Sequence, residues 1–235
     1  MKSDKGHCRR WFDIIKDYDQ GMSEKIASNN STCVEIIFFF IPAHMFNRIV
    51  ILLPMAITFI IGASDYDTML INNNFKPRGD KITDTDKITY GYSFWLLFSL
   101  ALGVSTLSST ILKNTIKRER PKARTDTTRI SNLRGKEIGT FAMPSGDSNA
   151  AAVFCLLLAA EFDINMIYLI MPLVMLGRVY YQCHWLGDTI AGFLHGTMWG
   201  ILFAYNFNIF VPLFEMVTGE DAFISNVDNS AGIKI

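Results

Sequence analysis

The chain has 235 residues, half of them hydrophobic and 13% aromatic, with a mean hydropathy of +0.23. That length allows one domain or two small ones, and the composition is too apolar for an ordinary soluble domain; it suits a multi-span membrane protein with polar loops. Lys plus Arg and Asp plus Glu balance at 22 each, so bulk charge selects no partner, no nucleic-acid partner is expected, and any positive field must be local.

In chain order, residues 1–32 are polar and mixed in charge. The stretch WFDIIKDYDQGMSEKI reads as an amphipathic or interfacial helix, with Trp11 and Tyr18 suited to the headgroup layer. No secretory signal peptide shows, which points to an internal membrane such as the endoplasmic reticulum. Asn29 and Asn30 fit the glycosylation sequon, which matters only if that end faces a lumen. Residues 33–46 are apolar but short, interrupted by Glu35, Pro42 and His44, and predict an interfacial or re-entrant piece. Residues 47–63 predict the first good span, kinked at Pro54. After a polar loop, residues 91–112 make a second span. Residues 113–146 are basic and polar. A helix from Ser145 to near Phe162 comes close to the roughly 20 residues a span needs. Residues 164–181 form another apolar helix, and 188–214 the last. Within that last one, Gly192, Gly196 and Gly200 recur every fourth residue, a pattern that lets helices approach closely.

The fold class expected is therefore all-α: an integral-membrane bundle of five or six membrane helices. The expected division is an N-terminal polar and interfacial segment (1–46), a membrane domain (47–214) and a polar C-terminal tail (215–235). Cys8, Cys33, Cys155 and Cys183 show no CxxC spacing, so neither a disulfide framework nor a zinc site is expected.

Three clusters lie at the ends of apolar stretches: KNTIKRERP (113–121), MPSGDS (143–148) and GRVYYQCHWLGD (177–188). Nine Lys or Arg fall between Lys113 and Lys136, which alone fits a cytoplasmic positive-inside loop. Pro121 disfavours helix at Arg120, so the preceding helix should end there. Lys113 and Arg120 are then two turns apart on one face, about 10 Å along the axis, with Lys117 on the same stripe. Both can converge on one anion, Arg120 bidentately and Lys113 as a point charge. Pro144, Ser145 and Gly146 open a helix whose free N–H groups can bind an anion; an ordinary N-cap by Ser145 fits as well. His184 and Asp188, four apart, can share a helix face, so that Asp188 accepts the Nδ1–H and leaves Nε2 free to attack. Arg178 adds a third cation. His44 and His195 read as satisfied structural histidines, and Cys183 beside His184 is not read as a reactive dyad.

Together and in this order, the clusters resemble the motifs of the type 2 phosphatidic acid phosphatase and vanadium haloperoxidase superfamily, in its membrane lipid-phosphatase branch. Lys113, Arg120 and Pro121 match the first motif fully. In the second, Pro144, Ser145 and Gly146 match, and the family's His is Asp147. In the third, Arg178, His184 and Asp188 match, and the family's Ser is Gly177. The resemblance implies a lipid phosphate or diphosphate phosphatase working in the bilayer without metal or cofactor. It implies that His184 is a nucleophile forming a phosphohistidine, with Asp188 orienting it. Lys113, Arg120, Ser145, Gly146 and Arg178 would hold the phosphoryl oxygens.

The family's second-motif His protonates the leaving oxygen. Asp147, at a free pKa of about 3.9 and lower beside cations, is ionised at neutral pH and cannot. A phosphate leaving group departs without that proton, so lipid diphosphates such as prenyl diphosphates become the expected substrates. A lipid phosphotransferase, or a non-catalytic lipid-binding protein keeping the fold, are the alternatives.

Overall fold

The computed structural model describes residues 4–28, 31–47, 51–64, 84–122, 129–134, 141–162 and 164–205. Among them every regular element is helical. Helix α1 spans Asp4–Ala27. Helix α2 runs over residues 32–45, opening at Thr32–Val34, widening to a π stretch at Glu35–Phe40 and closing at Ile41–Met45. Then come α3 (Leu52–Ser64), α4 (Asp84–Ile116), α5 (Gly146–Phe162), α6 (Ile170–Tyr180, after a 3-10 turn at Asn165–Leu169) and α7 (Leu186–Tyr205).

Helix α5 is the core. From Ala150 to Ala160 its residues are small or apolar on every side, which is what a helix enclosed by others requires. Ala150, Ala151, Ala152, Val153, Phe154, Leu157 and Leu158 are all buried. Phe98 of α4 and Phe46 meet Phe154 edge-on at ring separations of 5.8 and 5.5 Å, and Phe94 meets Phe162 at 4.9 Å. On the far side α7 lies backbone to backbone against α5. A Cβ at Gly192 would overlap the Ser145 carbonyl, and one at Gly196 the Asn149 carbonyl. The four-residue glycine spacing thus sets the distance between these helices. Large apolar side chains point outward on α3, α4 and α7, among them Leu52, Ile60, Leu107, Ile111, Leu194 and Met198.

By length and composition, Gly91–Ile116 is the one described segment long and apolar enough to cross a membrane; Leu52–Ile61 and Asn165–Tyr180 are shorter apolar helices. Pro54 falls in the first turn of α3, which starts at Leu52, a place where a helix tolerates proline. The expected helical stripe of Lys113, Lys117 and Arg120 is also corrected. Helix α4 stops at Ile116, where Lys117 takes a left-handed conformation (φ 53°) and its N–H bonds back to the Lys113 carbonyl at 3.0 Å. Tertiary bonds pull the chain off the helix before Pro121 could: the Arg118 carbonyl accepts from Ala142 N at 2.8 Å. Asn29, Asn30, Arg124, Lys136, residues 206–214 of the last expected span and the 215–235 tail lie outside the described residues.

Candidate active site

The three clusters meet at one end of the bundle. Lys113 comes from the last turn of α4, and its Nζ would stand 3.7 Å from a Cβ placed on Gly146 at the start of α5. Arg120 arrives on the segment after α4. Its Nη1 donates to the Cys183 carbonyl at 2.5 Å and to His184 Nε2 at 3.2 Å. Arg178, fully buried in the last turn of α6, donates to the Ala43 carbonyl at 3.3 Å and pairs with Asp147 at 2.8 Å. Ser145 is buried, and its N–H bonds to the Asp188 carbonyl at 2.9 Å, joining the start of α5 to the first turn of α7. Its hydroxyl accepts from Ser148 Oγ at 3.1 Å. All eight residues singled out in the sequence are therefore gathered here.

His184 and Asp188 do not share a helix face. The ring belongs to the connection between α6 and α7, and Asp188 lies in α7's first turn. Nδ1 and Asp188 Oδ2 are 3.9 Å apart, too far for a hydrogen bond. The tautomer follows from Arg120 instead. A guanidinium can only donate, so Nε2 must accept, and the proton of a neutral ring is on Nδ1. That Nδ1 makes no well-formed hydrogen bond among the described residues.

The ring's electrostatics agree. Burial, then Arg120, Arg178 and Lys113, hold its pKa well below the ordinary 6.5; the backbone at Ala142 pulls the other way. The imidazole is thus neutral above pH 6.5 and protonates only as pH falls well below it. Nitrogen chemical shifts of labelled histidine, assigned with His184→Ala, are expected to place its midpoint below 6.5. A midpoint at or above 6.5 contradicts the arrangement.

Gly177 has a packing explanation. A Cβ there would lie 3.0 Å from the Ala43 Cβ and 3.2 Å from the Phe39 carbonyl, so α2 sits where a serine side chain would project. His44 and His195 are satisfied. His44 Nδ1 bonds to the Phe40 carbonyl at 2.7 Å and Nε2 to Ser131 at 3.0 Å. His195 Nδ1 bonds to Asn149 at 2.8 Å and Nε2 to Ser108 at 3.0 Å. Sequence reasoning missed Arg118 and Asp19. Arg118 binds Asp188 at 2.9 Å and Asp19 at 2.5 Å. Arg118 was visible only as one more charge in a basic run. Asp19 had no signal, since its partner is 99 residues away.

Among the described residues, a helical bundle thus brings an imidazole, three cations and a helix N-terminus together at one end. A family model of the PAP2 superfamily matches residues 93–211, and the chain belongs to that superfamily. Its fold is similar to that of a transmembrane PAP2-type phosphatidylglycerolphosphate phosphatase from Bacillus subtilis, with a TM-score of 0.55, 22% identity, and coverage of 83% of this chain and 87% of that one. It is also similar to LpxE of Aquifex aeolicus, with a TM-score of 0.52, 17% identity, and coverage of 79% and 94%. The comparison with curated proteins gives no match.

Proposed function

We propose that this protein is a multi-pass membrane phosphatase of lipid phosphates or diphosphates, working through a phosphohistidine at His184. The observation that carries this is the Arg120–His184 contact, which leaves the lone pair of a buried neutral imidazole on Nε2, within the field of Arg120, Arg178 and Lys113. The membrane setting is supported by the Gly91–Ile116 helix, by the outward apolar side chains of α3, α4 and α7, and by the transmembrane relative from Bacillus subtilis. Five or six helices within residues 47–214 form the membrane domain, flanked by the 1–46 segment and the 215–235 tail.

In the reaction, the phosphoryl oxygens take over the donors of Arg120 and engage Lys113, Arg178 and the Gly146 amide. Nε2 attacks phosphorus as the bond to the leaving oxygen breaks, and that oxygen departs with the electron pair. Water then attacks phosphorus, the P–N bond breaks and the imidazole is regenerated. Asp188 stands by the Nδ1–H side of the cationic intermediate.

Asp147 determines which substrate suits this site. It forms an ion pair with Arg178, and a carboxylate so paired has no proton to give. An alkoxide leaving group is about as basic as hydroxide, with water at about 15.7, and needs one. Phosphate, with a second pKa of about 6, does not. Lipid diphosphates, prenyl diphosphates among them, are therefore the preferred substrates. Turnover of matched mono- and diphosphate lipids tests this: the diphosphate is expected to be faster, and Asp147→His to narrow the gap. Equal or better monoester turnover contradicts it. The same Asp147–Arg178 pair, which neutralises a phosphate-gripping arginine, favours a second reading as a non-catalytic lipid-binding protein; phosphate release from purified protein separates the two. Transfer to a lipid alcohol instead of water would make the enzyme a phosphotransferase, and product analysis with and without an acceptor separates those.

A further inference from the structure

The family match begins at residue 93, so α1 lies outside it. Yet α1 reaches the catalytic end of the bundle with one carboxylate. Asp19 Oδ2 binds Arg118 Nη2 at 2.5 Å, and Asp19 Oδ1 accepts from Gly187 N at 2.8 Å. One turn on, Ser23 Oγ accepts from Leu186 N at 2.8 Å and donates to the Asp19 carbonyl at 2.7 Å. Two of the orphan amides at the start of α7 are thus capped from another helix. Arg118 carries the contact inward, since its other nitrogen, Nη1, binds Asp188 Oδ1 at 2.9 Å. Asp188 is completely buried, and its remaining oxygen takes the Trp185 N–H at 2.9 Å.

We infer that Asp19 is a positioning residue for the His184–Asp188 pair, acting through Arg118 and the first amides of α7. The inference rests on the phosphohistidine reading. Two carboxylates, Asp19 and Asp188, share one guanidinium. Asp188 stands 3.9 Å from the Nδ1–H that must be stabilised once Nε2 carries a phosphoryl group. Closing that gap to a hydrogen bond takes about 1 Å of movement. With Asp19 in place, Arg118 is held from both sides, which limits its pull on Asp188. Without it, Arg118 turns wholly to Asp188 and holds it back from the ring, while α7's first turn loses an acceptor.

Asp19→Asn keeps an oxygen for Gly187 N and replaces the charged oxygen that Arg118 binds by an amide NH2, which cannot accept. With a prenyl diphosphate in detergent micelles, its kcat is expected to fall about tenfold, with KM within about twofold, because the phosphate grip is untouched. The double variant Asp19→Asn with Arg118→Gln is expected to be no slower than Arg118→Gln alone, since both act along one path. Lys16→Ala, on the exposed face of α1, is expected to match wild type. Wild-type kcat in Asp19→Asn, a change in KM alone, or losses that multiply in the double variant would overturn the inference. If Asp19→Asn fails to fold, Arg118→Lys serves. It keeps a charge but has one nitrogen where Arg118 uses two to hold Asp19 and Asp188 apart, so it must show the same loss in kcat; wild-type kcat there overturns the inference. An inactive wild type, or His184→Ala as active as wild type, refutes the phosphatase reading instead. An active wild type, a dead His184→Ala and an unaffected Asp19→Asn refute this inference alone.

Discussion

Replacing His184 by Ala is expected to lower phosphate release on the order of 10³-fold or more, the loss that follows removal of a covalent nucleophile. No neighbour can stand in. Cys183 adjoins the ring, but burial pushes its thiol up, away from the reactive thiolate, and its Sγ–H faces the Tyr181 carbonyl at 3.8 Å. The Ser145 hydroxyl is buried and held by Ser148. The cations stay in place in the variant, so affinity for inorganic phosphate should persist while turnover is lost. Phosphate release and phosphate binding, measured on the same purified protein, check this. A variant that keeps a tenth of the wild-type rate contradicts the assignment of the nucleophile.

The second large effect is expected from an uncharged residue. Gly192→Leu puts a side chain where the Ser145 carbonyl now sits. Because backbone, and not a flexible side-chain tip, meets the new atoms, α5 and α7 must separate. Overpacking of this kind costs about 1–3 kcal/mol. The displaced residue opens the anion-binding turn and is tied to Asp188 by the Ser145 N–H. A shift of about 1 Å there is expected to cost about 10²-fold in kcat. Gly103→Ala is the matched control: nothing lies within 4 Å of a Cβ at Gly103, so melting temperature and kcat should both hold or improve slightly. Loss of activity in Gly103→Ala, or none in Gly192→Leu, would contradict the packing account.

The helices were legible where apolar stretches are long and bounded. The second expected span, at 91–112, lies inside α4, and the helix expected from Ser145 to Phe162 is α5 almost to the residue. The glycine spacing on α7 was legible too, because four-residue periodicity has one structural meaning when it faces another helix. What could not be read were helix ends set by distant partners. The chain leaves α4 at Lys117 because Arg118 is bonded to Ala142, Asp19 and Asp188, three groups scattered over the sequence. For the same reason His184 and Asp188, spaced for one helix face, straddle the start of α7. The convergence of the eight residues was legible only through the order of three motifs; no single motif implies it. The N-terminal segment was read correctly as a helix, but its role in capping α7 was invisible, since it rests on one carboxylate and one hydroxyl of ordinary surface type.

The central claim is that His184 Nε2 bonds to phosphorus during turnover. The most direct measurement is a rapid acid-free quench of the enzyme with a lipid diphosphate labelled on its terminal phosphorus, followed by mapping of the labelled residue. The expected result is an acid-labile, base-stable label on His184 that appears before free phosphate and is absent from His184→Ala. A label on another residue, or turnover with no protein-bound phosphorus at any time, would contradict it.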